Sequence, residues 1–139
     1  MNQTTQSLEN RKGILAAGNF IVDTVKIIDT WPNQDSLCNI LSQSSSNGGG
    51  PYNILKDLAM MKVGFPLYAL GCIGTDAWGK YIIDDCRKHN IATENMVFSK
   101  KKPTSYTDVM TVEADGRRTF FHNRGANAEL HPDHFSIEN

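Results

Sequence analysis

The run Asn47-Gly48-Gly49-Gly50-Pro51-Tyr52-Asn53 is the place in this chain where residue types and spacing most readily support chemistry. Glycines allow a ligand to approach the backbone closely. Pro51 suits the first position of a helix, where its missing N–H costs nothing. The helix that follows would point its free N–H groups outward, toward polar oxygens of a ligand. No Gly-Lys-Ser/Thr follows, so this is not a P-loop, and Pro51 and Tyr52 interrupt the G-x-G-x-x-G spacing of a dinucleotide fingerprint. Taken alone, the three glycines read most simply as a flexible strand-to-helix loop. Asn53 adds one donor and one acceptor, or is a tolerated polar residue on a helix face.

Asp23 closes an apolar run, Gly13 to Val22. A carboxylate at the carboxyl end of a buried parallel strand lies where open α/β sheets bind ligands. Its two oxygens are suited to gripping a pair of ligand hydroxyls, and a turn or cap role is an equal reading. Gly71-x-x-Gly74-x-Asp76-x-x-Gly79 reads as strand, tight turn and capped helix, and is structural. His131-x-x-His134 has no third metal ligand nearby. His122 reads as a surface residue, and Trp78 and Met60-Met61 as core.

The elements that would position these residues alternate. Gly13 to Gly18, continued by Phe20 to Val22, has the near-continuous apolar character of a strand buried on both faces. Val25 to Asp29 reads as a second strand, Trp31-Pro32-Asn33 as a turn, and the polar stretch 36–46 as an exposed strand. Ile54, Leu55, Leu58, Ala59 and Met61 recur at helical spacing, with Gly64 as the expected C-terminal cap. Phe65 to Gly74 is the next buried strand. Thr75 or Asp76 caps a helix whose apolar stripe is Trp78, Tyr81, Ile82, Cys86 and His89. Met96-Val97-Phe98 follows as a short strand. Asp115-Gly116, between Thr104–Thr111 and Arg117–Phe121, signals a hairpin. Arg124 to Ala128 reads as a loop, and Leu130 to Phe135 as the opening of a helix. Strands alternating with helices imply an α/β fold with a parallel sheet.

Composition narrows the function classes. The chain has 139 residues, a formal net charge of -1 and 40% hydrophobic residues, enough for one domain with a real core. The balanced charge gives no footprint for nucleic acid, and Lys100-Lys101-Lys102 reads as a solvated loop. Three widely spaced cysteines, Cys38, Cys72 and Cys86, argue for reduced thiols and a cytoplasmic setting. The longest predominantly apolar stretch without charge, Val63 to Thr75, is too short to span a bilayer, so no membrane segment is expected. Residues 1–12 read as a frayed polar tail.

Taken together, Gly18 through Asp23, Asn47 through Asn53, Gly71 through Gly79 and Gly125-Ala126-Asn127 resemble the amino-terminal half of ribokinase-like (PfkB-family) carbohydrate kinases. The resemblance covers residues 13–139. It implies a mostly parallel sheet flanked by helices, with a small β-sheet lid from about 25–47 and 103–124. It also implies that Asp23, Gly48, Gly49, Gly50 and Asn53 hold the hydroxyls of a sugar or nucleoside. Such kinases pass the γ-phosphoryl group of ATP, with Mg2+, to a substrate hydroxyl, and many form homodimers through the lid. Leu55 and Lys62 stand where the family usually has small residues. Ile21 replaces a polar sugar contact of ribokinase itself, which argues against ribose. The family's Gly-Ala-Gly-Asp loop, with its catalytic base, is absent from the sequence. No catalytic residue is therefore assigned, and the chain alone is expected to be inactive. The alternative is a non-enzymatic sugar-binding or lid-mediated interaction module. Ribose, fructose, a ketodeoxy sugar acid and a nucleoside all stay open as ligands.

Overall fold

A computed structural model describes residues 12–135; most of the polar tail expected at 1–12 lies outside them. The order is β1 (Ile14–Ala17), β2 (Ile21–Ile28), β3 (Ile40–Gly48), α1 (Gly50–Met60), β4 (Leu67–Leu70), β5 (Cys72–Gly74), α2 (Ala77–Lys88), β6 (Ile91–Ala92), β7 (Val97–Ser99), β8 (Tyr106–Val112) and β9 (Arg118–Asn123). Two short 3-10 helices, Gly125–Glu129 and Pro132–His134, follow. The first replaces the expected loop, and the second is what forms of the expected terminal helix among the described residues.

Three sheets result. Strands β1, β4 and β6 pair in parallel in the order β1-β4-β6, and β5 pairs in parallel with β7. A mixed four-stranded sheet has the order β3-β2-β8-β9, parallel only between β2 and β8. The parallel α/β arrangement and the Asp115-Gly116 hairpin are as expected; Gly116 takes the left-handed turn position at φ 69°. The core joins Phe20 and Val22 to Tyr52 and Leu55 of α1, to Leu67, Ala69 and Ile73, and to Ile82, Ile83 and Cys86 of α2. Burial drives the Cys86 thiol pKa up to about 11.

Several expectations are corrected. The first apolar run is two strands, not one. Gly18 (φ 140°) breaks it, so β1 joins the parallel sheet and β2 the mixed one. Val25–Asp29 is then no second strand, because β2 runs through to Ile28. Phe65–Gly74 splits in the same way at Gly71. A side chain there would clash with the Phe20 ring, which fills that space. Nor is β1 buried on both faces: it lies at the edge of its sheet, with Leu15 51% exposed.

The helical stripes also shift. In α1 the buried positions are Tyr52 and Leu55, while Ile54, Met60 and Met61 are exposed. In α2 they are Gly79, Ile82, Ile83 and Cys86. Trp78 and Tyr81 pack edge-to-face on each other and stay over a third exposed.

Helix α1 stops before Gly64. Val63 N–H donates to Leu58 O (3.4 Å) and Lys62 N–H to Ala59 O (3.0 Å), which is a Schellman closure with Lys62, not glycine, in the left-handed position at φ 54°. A side chain in that region costs about 1–2 kcal/mol. Lys62→Gly is therefore expected to stabilise the chain by up to about 1 kcal/mol. A urea midpoint that stays put or falls would contradict this.

Candidate functional site

Strand β3 runs into Gly48, and the chain turns into α1 at Gly49 (φ 98°, ψ 143°), a region that only glycine occupies without strain. Added side-chain atoms at Gly49 would overlap the Asn19 carbonyl, so β3 and the start of β2 meet backbone to backbone. Gly50 opens the helix and Pro51 is its second residue, one place later than expected. Around Gly50 a side chain would meet open space. No side chain caps α1, and its first turn carries no acidic residue. Those free N–H groups are thus available to oxygens from outside the chain.

Asp23 is the third residue of β2, paired with Ser46 of β3 on one side and Thr107 of β8 on the other. It belongs to a strand of the mixed sheet rather than standing at the end of the parallel one. Gly48 lies beside its carboxylate: a Cβ at Gly48 would collide with Asp23 Oδ2. Asp23 is half-buried. Among the described residues no donor is hydrogen-bonded to its carboxylate and no cation pairs with it. A half-buried carboxylate without a partner is costly unless something supplies hydrogen bonds. Asn53 sits in the first turn of α1, its N–H donating to Gly49 O (3.0 Å), with the residue exposed. The structure thus brings Asp23 and Gly48 together directly, with Gly49 next along the chain. Gly50 and Asn53 follow on the helix opening, and no hydrogen bond joins Asn53 to Asp23 among the described residues.

Asp85 of α2 was not singled out from the sequence. It accepts hydrogen bonds from the Tyr52 hydroxyl, from Asn47 Nδ2 (3.3 Å) and from Lys56 Nζ (3.3 Å). One carboxylate thereby ties the last turn of β3 and the first turns of α1 to α2. Burial pushes the Asp85 pKa up, but the bonds from Tyr52, Asn47 and Lys56 outweigh it, and the net shift is downward. The available signal was helical spacing, which sets Asp85 beside Ile82 and Cys86 on the inner side of α2. Asn127 is buried as well, donating from Nδ2 to Phe20 O (3.2 Å), with its N–H held by Ser105 Oγ (3.0 Å).

Asp76 caps α2 as expected. Its oxygens accept from Gly79 N–H (2.9 Å), Thr104 N–H (2.8 Å) and Thr104 Oγ1 (2.6 Å). Burial raises its pKa, the Thr104 and Gly79 bonds lower it, and the bonds prevail. Both Asp76 and Asp85 therefore titrate below the ordinary value of 3.8. Their contribution to stability is full above that value and is lost as pH falls through the lowered ones. The urea midpoint is expected to hold from pH 7 to about 5 and to drop below about pH 4. Asp76→Asn/Asp85→Asn should flatten that drop, and a drop of unchanged size in the double variant would count against it.

The two terminal histidines cap a 3-10 turn: His134 Nδ1 accepts from His131 N–H (3.1 Å), and His131 Nδ1 from Asp133 N–H (3.4 Å). No cluster of three or more metal-ligating side chains occurs among the described residues. No described helix is long and apolar enough to cross a membrane.

Comparison with known proteins gives the geometry a lineage. Over 141 aligned residues the chain is 26% identical to a protein of Arabidopsis thaliana described as probable fructokinase-2, covering 97% of this chain and 40% of that protein. Its fold is similar to ribokinase from Giardia lamblia (TM-score 0.75, 24% identity, 89% of this chain and 39% of that one). It is also similar to Arabidopsis thaliana ribokinase complexed with ribose and ATP (TM-score 0.73, 22% identity, 83% and 36%). The chain thus spans about two fifths of the length of the relatives it matches. Residues 16–139 match the pfkB family of carbohydrate kinases, and the chain belongs to that family.

Proposed function

We propose that this chain is the substrate-recognising portion of an ATP-dependent sugar kinase. The observation that carries the reading is the unpartnered Asp23 carboxylate lying against Gly48, next to the uncapped start of α1. In this reading Asp23 accepts hydrogen bonds from two neighbouring sugar hydroxyls. Gly48 leaves room for its carboxylate, the Gly49–Gly50 bend exposes backbone to the sugar, and Asn53 supplies a donor and an acceptor. The β3-β2-β8-β9 sheet is the lid that shields the sugar from water.

The reading leaves the chemical step outside these residues. The sequence has neither a Gly-Ala-Gly-Asp loop nor a Gly-Lys-Ser/Thr. When bound, ATP with its metal ion would supply the phosphoryl group; the residues here bind and orient the acceptor. Calorimetric titration with ribose, fructose and adenosine, with and without ATP, is expected to give sugar binding without turnover. Asp23→Ala should weaken that binding by about 10- to 150-fold, the equivalent of one charged hydrogen bond of roughly 1.5–3 kcal/mol. Unchanged affinity in the variant would remove Asp23 from the site.

Exposed apolar side chains on the same sheet support pairing with a second copy through the lid. Ile40, Leu41 and Phe121 are each about half exposed, and Trp31 stacks on Phe121 at 6.2 Å. Light scattering that shows a monomer across a wide concentration range would contradict this pairing.

A further inference from the structure

We propose that Thr107 and His122 form a second hydroxyl-reading position in the sugar site, one that favours polyols of hexose size over pentoses. The inference rests on the reading of Asp23 given above. Register places Ser46, Asp23, Thr107 and His122 directly opposite one another on four successive strands. Residues paired in this way share one face of the sheet. They form a single polar row, in which Asp23 leans toward Gly48 and therefore away from Thr107.

The row is built, not incidental. Thr107 is 6% exposed, and its Oγ1 lies 2.9 Å from His122 Nδ1, the hydroxyl's only hydrogen-bond partner among the described residues. That bond fixes the imidazole orientation and leaves Nε2 uncommitted on an exposed residue. Whichever partner carries the proton, Nε2 offers the complementary role, donor or acceptor, to a ligand hydroxyl.

The neighbouring row on the same face is Ser44, Val25, Val109 and Phe120. Three of its four members are apolar, and Val109 is buried. A line of hydroxyl-binding groups beside an apolar line matches a polyol, which has a hydroxyl edge and a C–H face. Strands lie roughly 4.8 Å apart, so His122 is about 10 Å of sheet from Asp23. A ligand touching both must reach across that distance with help from both side chains. Six carbons bridge it better than five.

The test uses the 139-residue chain, with imidazole nitrogens and backbone amides followed by NMR during titration with fructose, ribose and adenosine. Fructose is expected to shift the amides of Gly48 to Gly50 and His122 Nε2 together, while His131 and His134 stay fixed. Ribose should shift the glycine amides and leave His122 Nε2 still. His122→Ala and the near-isosteric Thr107→Val should each weaken fructose binding by about fivefold, the equivalent of one neutral hydrogen bond, and leave ribose binding within about twofold. If Asp23→Ala weakens both sugars but neither variant changes the fructose-to-ribose ratio, the second position is wrong and the Asp23 site stands. Equal shifts of His122 by ribose and fructose also overturn the size preference. If adenosine alone moves Phe120 and His122, the platform reads a nucleobase and the proposal falls. Absence of any shift with all three ligands overturns the Asp23 reading together with this one.

Discussion

Gly49→Ala is expected to lose at least about 3 kcal/mol of stability. Two effects add at one residue. A backbone at φ 98°, ψ 143° is close to a region reserved for glycine and costs of order 1–3 kcal/mol for any side chain. The new methyl group would also overlap the Asn19 carbonyl, which is backbone and has little freedom to retreat. Gly50→Ala is the control. It lies one residue further along the same run, meets nothing within 4 Å and is helical, so alanine there should be neutral or slightly stabilising. Urea unfolding of the two variants side by side separates steric necessity from mere glycine content. Similar losses in both would show that the bend is not held as described.

Asp85→Ala should cost roughly 2–3 kcal/mol, because it strands three donors at once in a half-buried setting. Tyr52→Phe removes one of those donors together with its need for a partner, and should cost less. The distinguishing readout is local. Amide exchange at the β3–α1 turn should accelerate in Asp85→Ala well before the parallel sheet loosens. Uniform acceleration across the chain would mean that Asp85 serves global stability alone.

These two residues also mark how far the sequence could be read. The glycine bend, the Asp76 cap and the Asp115-Gly116 hairpin are local features. Each follows from the conformational needs of a few neighbouring residues, and each was legible. Asp23 was singled out for its place after an apolar run, but its true surroundings depend on pairing with Ser46 and Thr107, which are far away in sequence. Asp85 was legible only in part: helical spacing sets it beside Ile82 and Cys86, but its partners lie on β3 and α1, far away in sequence. Met60, Met61 and Trp78 read as core by residue type, and Met61 and Trp78 by helical spacing as well, yet all three are exposed, because apolar spacing does not show how far the partner surface extends. The split between β1 and β2 was hidden because Gly18 can sit inside a strand as readily as end one. Pattern fixes which segments become strands; sheet membership is a three-dimensional property.

The parallel contact between β2 and β8 carries a kinetic consequence. Val22 meets Tyr106 across more than half the chain, with α1, α2 and five strands in between. Closing so long a loop exacts chain entropy before any cross-strand bond compensates for it. The β8–β9 hairpin, by contrast, closes over a few residues and forms in microseconds. Assembly of the mixed sheet is therefore expected to come last, with the hairpin waiting for β2 to be delivered by the collapsed body. During that interval the open rim of β8 would offer itself to any extended strand in solution, which makes the refolding yield sensitive to protein concentration.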